Sequence, residues 1–148
     1  MDLNIERRQI GFFYLGQTLD LPDKSIEGPG YIIHIRDGLV QGISLNFSSE
    51  IEREETELRF QGRAIKYVSE TPKLIFDDKI IMGDRIVTIN QETSPEDIAA
   101  IFEVACHCWD DGSYSSMNFT QGECEFKFSW SWVKDNKKTL DYMLIERA

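Results

Sequence analysis

Three features of this chain predict an α+β fold, mainly antiparallel and hairpin-rich sheet with one principal helix. Helical periodicity is confined to residues 94–109. The rest of the sequence divides into short apolar runs separated by turn dipeptides, and a stretch near the C-terminus alternates aromatic and polar side chains with a period of two. The length of 148 residues suits a single domain spanning 1–148.

The helix is predicted over SPEDIAAIFEVACHCW. Ser94 can cap the first free amides, Pro95 suits the first helical position because its missing N–H costs nothing there, and Glu96 and Asp97 sit where the helix dipole favours negative charge. Ile98, Ile101, Phe102, Ala105 and Trp109 then fall on one stripe. Asp110, Asp111, Gly112 and Ser113 supply turn chemistry beyond it. A helix of about four turns is too short to stand alone and needs an apolar surface beneath it.

The strands follow from β-propensity and punctuation. Residues 10–15, IGFFYL, read as a first strand. Residues 31–36 and 39–47 flank Asp37-Gly38, the dipeptide of a tight two-residue hairpin. From Ser48 to Glu57 the chain is dense in acid, and periodicity leaves open a short helix capped by Ser48 or Ser49 or a solvated loop. Residues 58–60, 64–68, 74–76, 79–82 and 85–89 read as short strands between Gln61-Gly62, Thr71-Pro72, Asp77-Asp78 and Gly83-Asp84. Residues 114–120 and 123–133 pair around Gln121-Gly122, a polar turn follows at Asp135-Asn136, and 140–145 closes the domain. In 123–133, Cys124, Phe126, Phe128, Trp130 and Trp132 share one face, the expected seat for the helix.

Composition limits the function. Hydrophobic residues make up 41% and aromatics 11%, which argues against disorder. No apolar run has the length of a membrane span, and the charged N-terminal residues lack the apolar centre of a signal peptide, so the expected compartment is cytoplasmic. Three cysteines, an odd number without framework spacing, are expected to be free thiols. The net charge of −10 is spread along the chain, with −3, −4 and −3 in residues 1–50, 51–100 and 101–148. That field repels phosphate backbones and speeds association with a basic protein, so a protein partner is expected and nucleic acid and membrane are not.

Catalytic and metal readings find little support. Cys106-His107-Cys108 suggests a metal site, but neighbours on a helix diverge by about 100°, so these three cannot face one ion while the predicted helix holds. A zinc site also favours paired CxxC or HxxxH spacing. Cys124 with His107 or His34 is a formal nucleophile pair without a nucleophile motif. The paired carboxylates Asp77-Asp78, Asp110-Asp111 and Glu54-Glu55 do not follow a calcium-loop pattern and read as turn and surface residues. GxxxxGK[ST], GxGxxG, GxSxG and HExxH do not occur. No catalytic residue, cofactor or metal is therefore expected.

What remains is recognition of a partner by acid interleaved with aromatics. The candidate binding residues are Glu50, Glu52, Glu54, Glu55 and Glu57 together with Asp110, Asp111 and Tyr114, with Trp130 and Trp132 read as core. In general character the chain resembles the small acidic immunity proteins that bacteria pair with secreted toxins: similar length, strong acidity, aromatics near the C-terminus as in EFKFSWSW at 125–132, and no catalytic motif. The likeness concerns the whole chain and assigns no residue a role. It implies stoichiometric binding that blocks the active site of a toxin, often a basic nuclease. Two alternatives are a structural or assembly subunit that forms a homo-oligomer, and a small enzyme built on an unrecognised Cys/His or carboxylate site.

Overall fold

The computed structural model describes residues 1–48, 51–72, 74–133 and 137–148. Glu50, the capping candidate Ser49 and the expected Asp135-Asn136 turn lie outside the described residues. The architecture is mostly antiparallel sheet with a single short helix among the described residues, so it is α+β in the loose sense, with strands dominant.

In chain order the elements are β1 (Leu3–Asn4), β2 (Gln9–Ile10), β3 (Phe13–Tyr14), β4 (Lys24–Gly28), β5 (Tyr31–Arg36), β6 (Leu39–Asn46), β7 (Ile51–Phe60), β8 (Arg63–Pro72), β9 (Ile80–Met82), β10 (Arg85–Val87), α1 (Pro95–Phe102), β11 (Trp109–Asp110), β12 (Tyr114–Gln121), β13 (Cys124–Val133) and β14 (Lys137–Arg147). They form a seven-stranded antiparallel sheet in the order β11-β12-β13-β14-β6-β5-β4 and a five-stranded sheet in the order β10-β9-β1-β2-β3. The hairpin β7-β8 forms a third sheet of its own. Only the β1–β9 pair is parallel among the described ladders.

Apolar residues from both larger sheets and from α1 merge into one buried cluster, with Leu3, Ile10 and Ile80 from the smaller sheet and Ile33, Ile43, Phe126, Phe128, Trp130 and Ile145 from the larger. The aromatic face of β13 is buried at Cys124, Phe126, Phe128 and Trp130, as its period predicted, while Trp132 is only half-buried. Phe102 of α1 sits on that face, with ring centroids 5.1, 5.2 and 5.7 Å from Phe119, Phe126 and Phe128. The fully buried Trp130 donates its indole N–H to the Thr93 carbonyl at 2.7 Å, tying the strand to the residue before the helix cap.

The helix starts as expected. Ser94 Oγ accepts from the Asp97 amide at 3.1 Å and the Asp97 carboxylate accepts from the Ser94 amide at 3.0 Å, a complete capping box. It ends at Phe102 rather than Trp109, because Glu103 takes the left-handed conformation at φ 55°. The side chains of Arg85 and Gln121 donate to the carbonyls of Ile101 and Phe102, each at 3.3 Å, so the freed end of the helix is capped from outside. The chain then turns at Ala105–His107 and places Trp109-Asp110 beside β12 at the sheet edge. The apparent continuation of the stripe is accidental, since Ala105 and Trp109 are both exposed.

Several strands differ from expectation. The run 10–15 folds back on itself: Gly11-Phe12 is a two-residue turn, Ile10 pairs with Phe13, and Gly11 has a positive φ of 56°. Residues 74–76 stay outside the strand ladders. The turn between β12 and β13 is Gly122-Glu123, both left-handed, one residue later than predicted. The Asp37-Gly38 hairpin holds, with φ of 54° and 72°.

From Ile51 to Glu57 the acidic stretch is neither helix nor loop but part of strand β7. Its period is two: Glu54, Thr56, Leu58 and Phe60 share one face, and Glu55, Glu57 and Arg59 share the other. Thr71-Pro72, expected as a turn, ends β8. The β7-β8 arm leaves the larger sheet where β6 ends, and Asn46 secures its base. The Asn46 side-chain amide donates to the Ser48 and Leu74 carbonyls at 2.9 and 2.8 Å, and the Asn46 main-chain carbonyl accepts from the Phe76 amide at 2.8 Å.

Candidate functional site

The expected binding residues divide between two places. Glu52, Glu54, Glu55 and Glu57 belong to β7 on the arm, whereas Asp110, Asp111 and Tyr114 meet at the β11-β12 corner of the seven-stranded sheet. The ladder register aligns Asn46, Tyr142, Ser129, Ser116 and Trp109 across successive strands. The arm base and the corner therefore lie at the same end of the sheet, four strand spacings or about 19 Å apart. On the arm, alternation sends Glu55 and Glu57 to the face opposite Glu54, and Lys66 stands across from Glu57, so the acids do not form one patch there.

The corner is built from local hydrogen bonds. Asp111 Oδ1 accepts from the amides of Ser113 and Tyr114 and from the Ser113 hydroxyl, all at 2.9 Å, which closes the turn into β12. Asp110 Oδ1 accepts from the Gly112 amide at 2.9 Å and from the Trp132 indole N–H at 3.3 Å. Lys138 lies 3.5 Å from Asp110 Oδ2 and 4.8 Å from the centroid of the Trp132 ring, so one cation braces both. The Gly112 amide, chiefly, holds Asp110 below the usual carboxylate range, and the Tyr114 and Ser113 amides do the same for Asp111. Both are carboxylates under any neutral condition.

An aromatic pair brackets these acids in the chain. Trp109 is 57% exposed and Tyr114 45% exposed, and their rings contact at 5.5 Å and 53°. Helical spacing puts Trp109 on the helix stripe and so in the core, whereas the structure exposes it at the sheet edge. The signal against that reading was its place next to Asp110-Asp111-Gly112, a turn that needs an edge. Trp130, by contrast, is core as predicted.

The Cys-His-Cys motif lies not on a helix but in the irregular stretch after Glu103, which removes the helical argument against a shared site. Cys106 and Cys108 are both exposed there, and their thiols are close enough to influence each other. Although Cys108 is exposed, partial desolvation, first, and the neighbouring Cys106 thiol push it up to about 11, so it is protonated at neutral pH. Cys124 is buried in the aromatic face, and all three cysteines are free. Among the described residues no three His, Cys, Asp or Glu side chains gather around a common point. His34 is half-buried on the opposite face of the large sheet with its Nε2 3.1 Å from Ser44 Oγ, and burial lowers its proton affinity.

An open hollow of about 440 Å³ lies beside α1, lined by Val87, Thr93, Asp97 and Ile101 among others. Asp97, one of its acidic groups, is engaged in the helix cap, and neither a histidine nor a cysteine lines it. No protein-family model matches the chain, and neither does any curated protein or solved structure.

Proposed function

We propose that this protein is a non-catalytic binding module that recognises a basic protein, in the manner of the toxin-immunity proteins it resembles in character, and that it acts in the cytoplasm. The observation that carries this reading is the β11-β12 corner, where an exposed tryptophan–tyrosine pair brackets two ionised aspartates on a hydrogen-bonded turn. Interfaces take most of their binding energy from a few buried aromatics, and electrostatic attraction sets how fast partners meet. Trp109 and Tyr114 supply the first, and Asp110, Asp111 and the chain's net charge of −10 supply the second. Three free thiols fit a reducing compartment, and no helix among the described residues is long and apolar enough to cross a membrane.

The test is to purify the chain with the product of its neighbouring coding sequence and follow their association by stopped flow and calorimetry. A one-to-one complex is expected, with an on-rate that falls as salt rises. Trp109→Ala should weaken it by roughly thirty-fold, the size of a hot-spot contact of about 2 kcal/mol. Asp110→Asn with Asp111→Asn keeps the turn acceptors while removing charge, and should slow association and flatten its salt dependence. Absence of a complex with that product, or equal affinity after Trp109→Ala, overturns the reading.

A further inference from the structure

We propose that the β7-β8 arm is a homotypic interface, in which the arms of two copies of this chain cross face to face and antiparallel about a two-fold axis. The proposal concerns a different surface from the β11-β12 corner and is independent of the partner assigned to it. It begins from an instability. A two-stranded ribbon without a covering layer is at best marginally stable in water, and among the described residues the arm makes no strand pairs outside itself. Yet one of its faces is apolar. Leu58 pairs with Ile65, Thr56 with Tyr67, and Phe60 with Arg63, and Leu58, Phe60, Ile65 and Tyr67 are between 50% and 66% exposed. The opposite face carries Glu55, Glu57, Arg59 and Lys66, with Val68 and Ala64 among them, and is the more polar of the two. Such alternation is how a strand is written when one side is to be covered.

Charge decides what covers it. Five acidic and four basic residues between 51 and 72 leave the arm at −1 of the chain's −10, so the repulsion that keeps two acidic chains apart is weakest here. A basic partner gains little from a nearly neutral ribbon, whereas a second copy is matched to it. On the apolar face the charged ends have opposite signs, with Glu54 toward the base and Arg63 at the tip. Six residues at about 3.3 Å each separate Glu54 from Phe60, the level of Arg63, by roughly 20 Å. Crossing two arms antiparallel brings the tip of each over the base of the other. Arg63 of each copy then reaches toward Glu54 of its mate, and Tyr67 lies over Leu58 and Ile65. A parallel crossing would instead oppose like charges at both ends. This self-matching pattern is what an isologous interface requires. The overlap is about 20 Å long and only two strands wide, smaller than a standard specific interface, so a reversible dimer is expected rather than a permanent one.

Sedimentation equilibrium of the full chain alone, from about 1 to about 500 μM, tests the proposal across the range where such an interface populates. A monomer–dimer equilibrium is expected. Leu58→Ser with Tyr67→Ser should weaken it at least tenfold, with circular dichroism unchanged because both side chains are exposed. Glu54→Arg and Arg63→Glu should each weaken self-association by about tenfold, since each leaves like charges at both ends. An equimolar mixture of the two single variants should recover dimer, because each copy then offers the sign the other lacks. A chain that stays monomeric at the highest concentration overturns the proposal and leaves the face to a different protein. So does a dimer indifferent to Leu58 and Tyr67, or a mixture that associates no better than its components.

Discussion

Trp130 shows how one side chain can decide the fit between layers. Its ring continues the aromatic row of β13, and its indole N–H reaches out of the sheet to the Thr93 carbonyl, so the strand and the helix start are fixed to each other at one buried point. Trp130→Phe leaves that carbonyl without its donor in a site closed to water and should lower unfolding stability by about 1–3 kcal/mol. Trp132→Phe removes a contact to Asp110 at the surface, 3.3 Å long, and should cost less than about 1 kcal/mol. Urea unfolding of both variants checks this, and a Trp130 effect no larger than the Trp132 effect would count against the account. At this scale the sequence was informative for buried residues: period two alone assigned Phe126, Phe128 and Trp130 to the core. It failed for Trp109, because a stripe at helical spacing and an exposed edge residue look the same when the end of the helix is unknown.

The helix illustrates the element scale, where starts are easier to read than ends. Its start is written in local chemistry, Ser94 and Asp97 bonding reciprocally, and Ser94→Ala should cost about 1 kcal/mol while Ser94→Asp keeps most of it. Chemical denaturation resolves the difference, and an unchanged midpoint in Ser94→Ala would contradict the capping role. The end of the helix depends on distant residues. Arg85 from β10 and Gln121 from β12 hold its last carbonyls, and Glu103 takes a conformation usually left to glycine. The same lesson applies to β7. Its acidic composition hid a strand because charge masks propensity, while the alternation of Leu58 and Phe60 with charged neighbours was the legible clue.

For the whole molecule, pH dependence follows from groups on different faces of the large sheet. Burial depresses the proton affinity of His34 in the fold, the Glu146 charge opposing it only in part. The unfolded chain therefore binds this proton first as pH falls through about 6.5, and stability is lost there until the lower folded value is passed. Asp110 and Asp111, held low by backbone amides, contribute stability that is complete above the ordinary carboxylate value near 3.9 and lost as pH falls through their folded values. Stability measured by urea between pH 8 and 3 should fall in two steps, and His34→Gln should erase the upper one. An upper step that survives in His34→Gln would refute the assignment. The sequence by itself determined which residues prefer strands, where the tight hairpin at Asp37-Gly38 turns, how the helix begins and which side of β13 faces inward, because these depend on neighbours a few positions away. Only the tertiary structure decided where the helix stops, that an acidic stretch becomes an arm with one apolar face, and that Trp109 stands exposed at the sheet edge against Tyr114. Those outcomes rest on contacts between segments far apart in the chain, and local periodicity does not record such contacts.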